Sequence, residues 1–132
     1  MFDRLERRIR SFAFVAVLAL AVPASAGEIR PWDAAGFETA QSAGQPIVIH
    51  VTAPWCPTCR AQHPAVVGLA AAPEHAELSV FEVDFDTQKD VLRRFGVRQQ
   101  STLIAFKGDV EVARSVGETR PEQIAALFGA TY

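Results

Sequence analysis

The chain has two cysteines, Cys56 and Cys59, with Pro57 and Thr58 between them. Thiols at that spacing can close into a disulfide and reopen, so two-electron exchange is the first chemistry the pair offers. A structural staple is the other common use, but its stabilisation grows with the length of chain it closes. A bridge around two residues would stabilise little. A third use is metal binding: Cys59 and His63 are four apart, the spacing of one helix face. Cys56, Cys59 and His63 therefore form a candidate set for a soft ion such as Cu(I) or zinc, although no fourth protein ligand is evident. His50 lies inside the apolar run Ile47-Val48-Ile49-His50-Val51, where a polar ring must find a partner if it is buried. Glu82, on the next predicted strand, is the candidate partner.

The elements that would position these residues can be read from periodicity and punctuation. The run 47–52 is apolar on both faces apart from His50, as in a central strand covered on both sides. From 56 to 71 the composition is helical, with an interior kink expected at Pro64. Upstream, 28–32 reads as an extended lead-in, and Asp33 as the N-cap of a short helix ending near Gly44. Downstream, 78–85 is a strand and 87–95 a helix capped by Thr87 and stopped by Gly96. His75 falls in a loop before that strand and is expected to be exposed. A strand over 103–107 turns at Gly108-Asp109 and returns through Val110, Val112 and Val116 to Gly117. Thr119 is placed to cap a last helix with Pro121 and Glu122 in its first turn and Ile124, Leu127 and Phe128 on its buried side. The order is α/β: an α/β sandwich on a mixed sheet.

Length and charge narrow the classes. The chain has 132 residues, 49% of them hydrophobic, enough for one domain with a sizeable core. Its formal net charge of −2, without a basic cluster outside the first ten residues, offers no nucleic-acid surface. No glycine-rich loop suggests a nucleotide, and no cofactor is implied. The amino terminus has the form of an export signal: arginines to Arg10, an uncharged apolar run over 11–22, then Ala24-Ser25-Ala26 as a cleavage pattern. The apolar run is shorter than the ~20 residues that span a bilayer. The expected organisation is a signal peptide over 1–26 and a single domain over 27–132, delivered to the periplasm.

Taken together, these motifs resemble the thioredoxin family over nearly all of 27–132. Trp55-Cys56-Pro57-Thr58-Cys59-Arg60 is similar to its W-C-x-x-C-[KR] motif, and Pro64 falls where its active-site helix kinks. Phe95-Gly96-Val97, Thr102-Leu103-Ile104-Ala105-Phe106-Lys107-Gly108 and Gly117 follow in the family's order. The resemblance implies a thioredoxin fold, a central mixed sheet with helices on both faces. It also implies a monomer that exchanges dithiol for disulfide with protein substrates. Cys56 would be the nucleophile, its thiolate favoured by a helix N-terminus, and Cys59 the resolving thiol. Trp55, Pro57 and Thr58 would face the substrate, and Gln100, Ser101 and Thr102 would pair with it as an added strand.

Three positions depart from the family pattern. Ser101 replaces its cis-proline, His50 its buried aspartate, and Glu82 the lysine that commonly partners that aspartate. A trans peptide is expected before Ser101, because a non-proline cis bond costs ~2.5–4 kcal/mol. Its hydroxyl could hydrogen-bond a thiolate, or the loss of proline could admit a metal. His50 and Glu82 could relay a proton to or from Cys59. Thr58 carries no positive charge between the cysteines, which favours a reductase or moderate exchanger over a strong oxidant. A periplasmic reductase needs recharging, for which a membrane thiol-electron transporter is the expected partner. The competing classes are the metal-binding module and a redox-inactive binding domain, which the intact cysteine pair argues against.

Overall fold

The computed structural model describes residues 26–132. The proposed signal segment lies outside them except for Ala26. Five strands form one sheet: β1 (Glu28–Pro31), β2 (Pro46–Thr52), β3 (Ser79–Asp84), β4 (Thr102–Lys107) and β5 (Val110–Val116). Four α-helices connect them: α1 (Ala34–Ser42), α2 (Pro57–Ala71), α3 (Lys89–Phe95) and α4 (Pro121–Gly129). The strand order is β1-β3-β2-β4-β5, with β3 parallel to both its neighbours and β4 antiparallel to both of its own. The thioredoxin fold and its mixed sheet are as expected. The extended lead-in is itself a strand, because its backbone adds to the free edge of β3.

Alternation along β2 builds two cores. Ile47, Ile49 and Val51 face the aromatic side with Phe37, Phe81, Leu92, Ile104 and Phe106. There Phe37 makes edge contacts with Phe81, Phe95 and Phe106, at centroid distances of 5.8, 5.4 and 5.5 Å. Val48 faces the other side, where α2 and α4 bring Val66, Ala70, Ile124, Leu127 and Phe128. His50 has the parity of Val48 and therefore projects under α2. Strand alternation alone thus delivers an imidazole to the helix that starts at the cysteines.

Local chemistry explains most boundaries. Asp33 caps α1, its carboxylate accepting the Gly36 N–H at 3.0 Å. Gly96 ends α3 in the left-handed region at φ 64°, where glycine has no Cβ penalty. Two expected caps are corrected. Thr87 does not cap α3: the Asp84 carboxylate folds the preceding turn by accepting the Asp86 and Thr87 N–H groups, so the helix starts later, after Gln88. Thr119 does not cap α4: the N-cap is Arg120, whose side chain caps nothing, and its N–H donates to the Glu118 carboxylate at 2.9 Å. His75 is also corrected: it is 6% exposed, its Nδ1 lies 2.8 Å from the Leu69 carbonyl, and its ring packs on Phe128 and Tyr132.

These contacts rank two substitutions. Phe37→Ala should cost about 3–5 kcal/mol, as expected when an aromatic is removed from a closed core. Asp33→Ala should cost about 1 kcal/mol, the loss of one helix cap. Urea unfolding followed by circular dichroism should give that order; equal losses would contradict the packing described here.

Candidate functional site

The site is assembled where β2 ends and α2 begins. Cys56 is the N-cap of α2 and Pro57 its first residue, a position that suits a ring lacking an N–H. The Cys56 sulfur takes the role usually filled by a serine or aspartate oxygen, accepting the Cys59 N–H at 3.1 Å. Cys56 and Cys59 are joined as a disulfide, with Cα atoms 5.3 Å apart. Both are buried, at 1% and 3% exposure. Trp55 is 53% exposed beside them, and its indole N–H donates to the Asp86 carboxylate at 2.8 Å. Pro57 is exposed and Thr58 half-buried on the same rim.

Ser101 meets the pair from the opposite loop. Its Oγ lies 3.2 Å from Cys56 Sγ and 3.1 Å from Cys59 Sγ. No peptide bond among the described residues is cis, so the bond before Ser101 is trans as expected. The backbone instead adopts φ 63° at Ser101, the one non-glycine residue with positive φ among those described. That conformation costs roughly 1–2 kcal/mol for a residue with a Cβ. Four hydrogen bonds hold it there. The Ser101 N–H donates to the Val51 carbonyl at 2.8 Å, and its own carbonyl accepts from Gly117 N–H and from Gln62 Nε2, both at 3.0 Å. The fourth is the Thr102 hydroxyl, which donates to the Gln99 carbonyl at 2.7 Å and closes the turn.

Of the loop expected to receive an extended partner, two of the three residues are buried. Ser101 and Thr102 are 2% and 1% exposed. The backbone of Ser101 is used internally, and Thr102 pairs on both sides, with Val51 and Val116. Of the three residues, Gln100 alone is partly exposed, which leaves it as the position in this loop that an extended partner can reach.

The expected His50–Glu82 hydrogen bond is also corrected. The two are neighbours in register, but the His50 ring nitrogen Nε2 bonds to Gln62 Oε1 at 3.1 Å. Glu82 instead lines an open cleft with Thr52, Pro54 and Asp84. Gln62, one turn beyond Cys59, fits the reach of the ring, and its amide also donates to the carbonyls of Ser101 at 3.0 Å and Glu118 at 2.8 Å. His50 Nδ1 is buried and has no hydrogen-bond partner in the protein. Burial pushes the His50 pKa below its ordinary value, outweighing the Gln62 hydrogen bond and the Glu82 charge, which raise it. The ring is therefore neutral at neutral pH. Near its carbonyl contact, Glu118 is clamped by Arg120, whose hydrogen bonds lower its carboxyl pKa to about 2.

Gln62 was not among the residues singled out from the sequence. A signal was available: Cys59, Gln62, Val66 and Ala70 recur at helical spacing and all are buried, so an amide stood on an apolar stripe. His63, by contrast, is exposed. Among the described residues no three His, Cys, Asp or Glu side chains converge as a metal site, and Cys56 and Cys59 are bonded to each other.

Comparison with known proteins agrees with this geometry. The family model described as Thioredoxin matches residues 29–129. An H-type thioredoxin of Brassica campestris is 34% identical over 92 residues, 70% of this chain and 73% of that protein. A thioredoxin of Alicyclobacillus acidocaldarius is 31% identical over 93 residues, 70% of this chain and 87% of the relative. Among solved structures, Trxlp of Edwardsiella tarda superposes with a TM-score of 0.74 at 42% identity, covering 76% of this chain and 98% of that one. The fold, the Trp-Cys-x-x-Cys site and these relatives together make this chain a member of the thioredoxin family, with the redox-active cysteine pair of a thiol–disulfide oxidoreductase.

Proposed function

We propose that this protein is an exported thioredoxin that works in the periplasm and, on balance, reduces disulfides in protein substrates. The observation that carries the reductive reading is the pair of donors on Cys56: the Cys59 N–H at 3.1 Å and the Ser101 hydroxyl at 3.2 Å. In the dithiol state both can donate to a Cys56 thiolate, at the positive end of α2. Neither is a cation, so the thiolate is favoured without the extreme stabilisation that makes a strong oxidant.

The reaction then runs in two displacements. The Cys56 thiolate attacks one sulfur of a substrate disulfide, forming a mixed disulfide and releasing a substrate thiolate. Cys59 loses its proton and attacks Cys56 Sγ, which re-forms the intramolecular disulfide and releases the second substrate thiolate. His50 is the base we assign to that second proton, since it is neutral, projects under α2 and keeps one ring nitrogen free; that nitrogen does not touch Cys59 in the disulfide state, so the proton crosses by way of a water. Glu82 is outside hydrogen-bond contact with the ring and acts on it through its charge, which favours the imidazolium. Trp55, Pro57, Thr58 and Gln100 form the substrate rim.

Export is supported by the basic, apolar and Ala-x-Ala succession over 1–26. In an oxidising compartment the dithiol must be regenerated, which suits a membrane thiol-electron transporter as partner. A relative in Mycobacterium leprae is named a bifunctional thioredoxin reductase/thioredoxin, which supports a dedicated electron donor in general.

Three outcomes are expected. The equilibrium potential of Cys56–Cys59 against glutathione should lie near the thioredoxin value of about −270 mV; a value near about −120 mV would reverse the direction. Ser101→Ala should raise the Cys56 pKa by about one unit, since a hydrogen bond to a charged group contributes ~1.5–3 kcal/mol. Ultraviolet thiolate absorbance titrated against pH reads this directly. His50→Ala should slow reduction of a disulfide-bonded protein substrate at least about tenfold, as general bases contribute ~10²–10⁴. An unchanged rate in a folded variant would remove His50 from the mechanism.

A further inference from the structure

Gln62 is fully buried, on the helix that carries the cysteines, and all of its amide hydrogen-bonding geometry is determined by its neighbours. Its Nε2 faces two backbone carbonyls, Ser101 O at 3.0 Å and Glu118 O at 2.8 Å, which can only accept. The NH₂ end must therefore point at them, and Oε1 must point at His50. Oε1 in turn can only accept, so the His50 nitrogen 3.1 Å away has to be the one that carries hydrogen. A neutral imidazole has one N–H. With that proton on Nε2, Nδ1 is left as a bare lone pair, and it is the ring nitrogen that has no partner in the protein.

We propose that Gln62 is a positioning residue for the exchange reaction: it holds the His50 ring in the Nε2–H tautomer, reserving Nδ1 as proton acceptor, and ties that base to the Ser101 loop that touches both sulfurs. The proposal rests on the oxidoreductase reading above and extends it to a residue the family motif does not contain. Its logic is a chain of contacts. Each sulfur meets the Ser101 hydroxyl, the Ser101 carbonyl meets the Gln62 amide, and the Gln62 oxygen meets the His50 ring. A single amide thus sets the protonation site of the base and supplies one of the four hydrogen bonds that hold the backbone from which the serine hydroxyl reaches the cysteines.

The groups that can act on the His50 charge are few. From β3 it is Glu82, which favours protonation, and from α2 it is His63, which opposes it. The register neighbour on β4 is Leu103, which does not titrate. Nothing else facing the ring competes with Gln62 for its N–H, since Nε2 has that one partner.

The decisive measurement is nitrogen NMR of the His50 ring in the oxidised full chain, with the other two histidines assigned by His63→Gln and His75→Gln variants. We expect a protonated Nε2 and an unprotonated Nδ1 at neutral pH. A protonated Nδ1 would overturn the proposal whatever the activity, whereas a failed reductase assay with the expected tautomer would count against the functional reading alone. Gln62→Met, similar in length but without donor or acceptor, should populate the second tautomer and lower the exchange rate at least about tenfold, within the range of a mispositioned general base. An unchanged tautomer and rate would overturn the proposal. Gln62→Glu should shift protonation of His50 to higher pH, because a carboxylate in that place stabilises the imidazolium. No upward shift would show that position 62 does not govern the ring. If neither variant folds, the wild-type spectrum still decides.

Discussion

A polar ring in the middle of a strand buried on both faces has to find a hydrogen bond within the protein, and much of this site follows from that requirement. His50 is buried between β3 and β4 and under α2, and water cannot serve it without opening the core. An amide two turns into the neighbouring helix meets the need. Because that amide has two N–H groups to satisfy, it draws in the carbonyls of two further loops. The loop that carries Ser101 and the turn after β5 are thus pinned to the same helix whose first residues are the redox pair. The polar interior is small, but each member is fixed by partners of one chemical sense.

The serine in place of the family's proline takes on its meaning in this setting. A proline there would present no hydroxyl, and its nitrogen would have no hydrogen to give the Val51 carbonyl. Serine has both, at the cost of a left-handed backbone. The extra hydrogen bonds offset that cost, and the side chain ends between the two sulfurs. The counterpart is that the N–H and carbonyl of Ser101 are both engaged within the protein.

Much of this was legible from residue order. The central strand, the helix from the cysteines, the Gly96 stop and the Gly108 hairpin all depend on local preferences or simple alternation, and each stands where periodicity places it. What escaped was set by side-chain partners that residue type alone does not rank. Thr87 and Thr119 looked like caps because threonine commonly is one, yet turns held by the Asp84 and Glu118 carboxylates precede the two helices, which start one residue later. His75 looked solvated because its neighbours are polar, but the last helix returns to cover it. Glu82 was the natural mate for His50 across the sheet. Facing side chains on parallel strands are near one another, but nearness does not aim a ring nitrogen, and Gln62 comes from above the sheet.

The neutrality of His50 has a consequence for how the protein couples electrons to protons. With a carboxylate beneath a dithiol, the buried acid changes its own protonation when the disulfide is reduced, and its titration is folded into the potential. Here burial lowers the pKa of the ring and keeps it uncharged at neutral pH in the disulfide state, so as long as it stays neutral on reduction the proton count per electron pair belongs to the sulfurs. The potential would then fall by about 59 mV per pH unit while both thiols bind protons, and by about 30 mV once Cys56 remains a thiolate. The bend between those two slopes would mark the nucleophile's pKa.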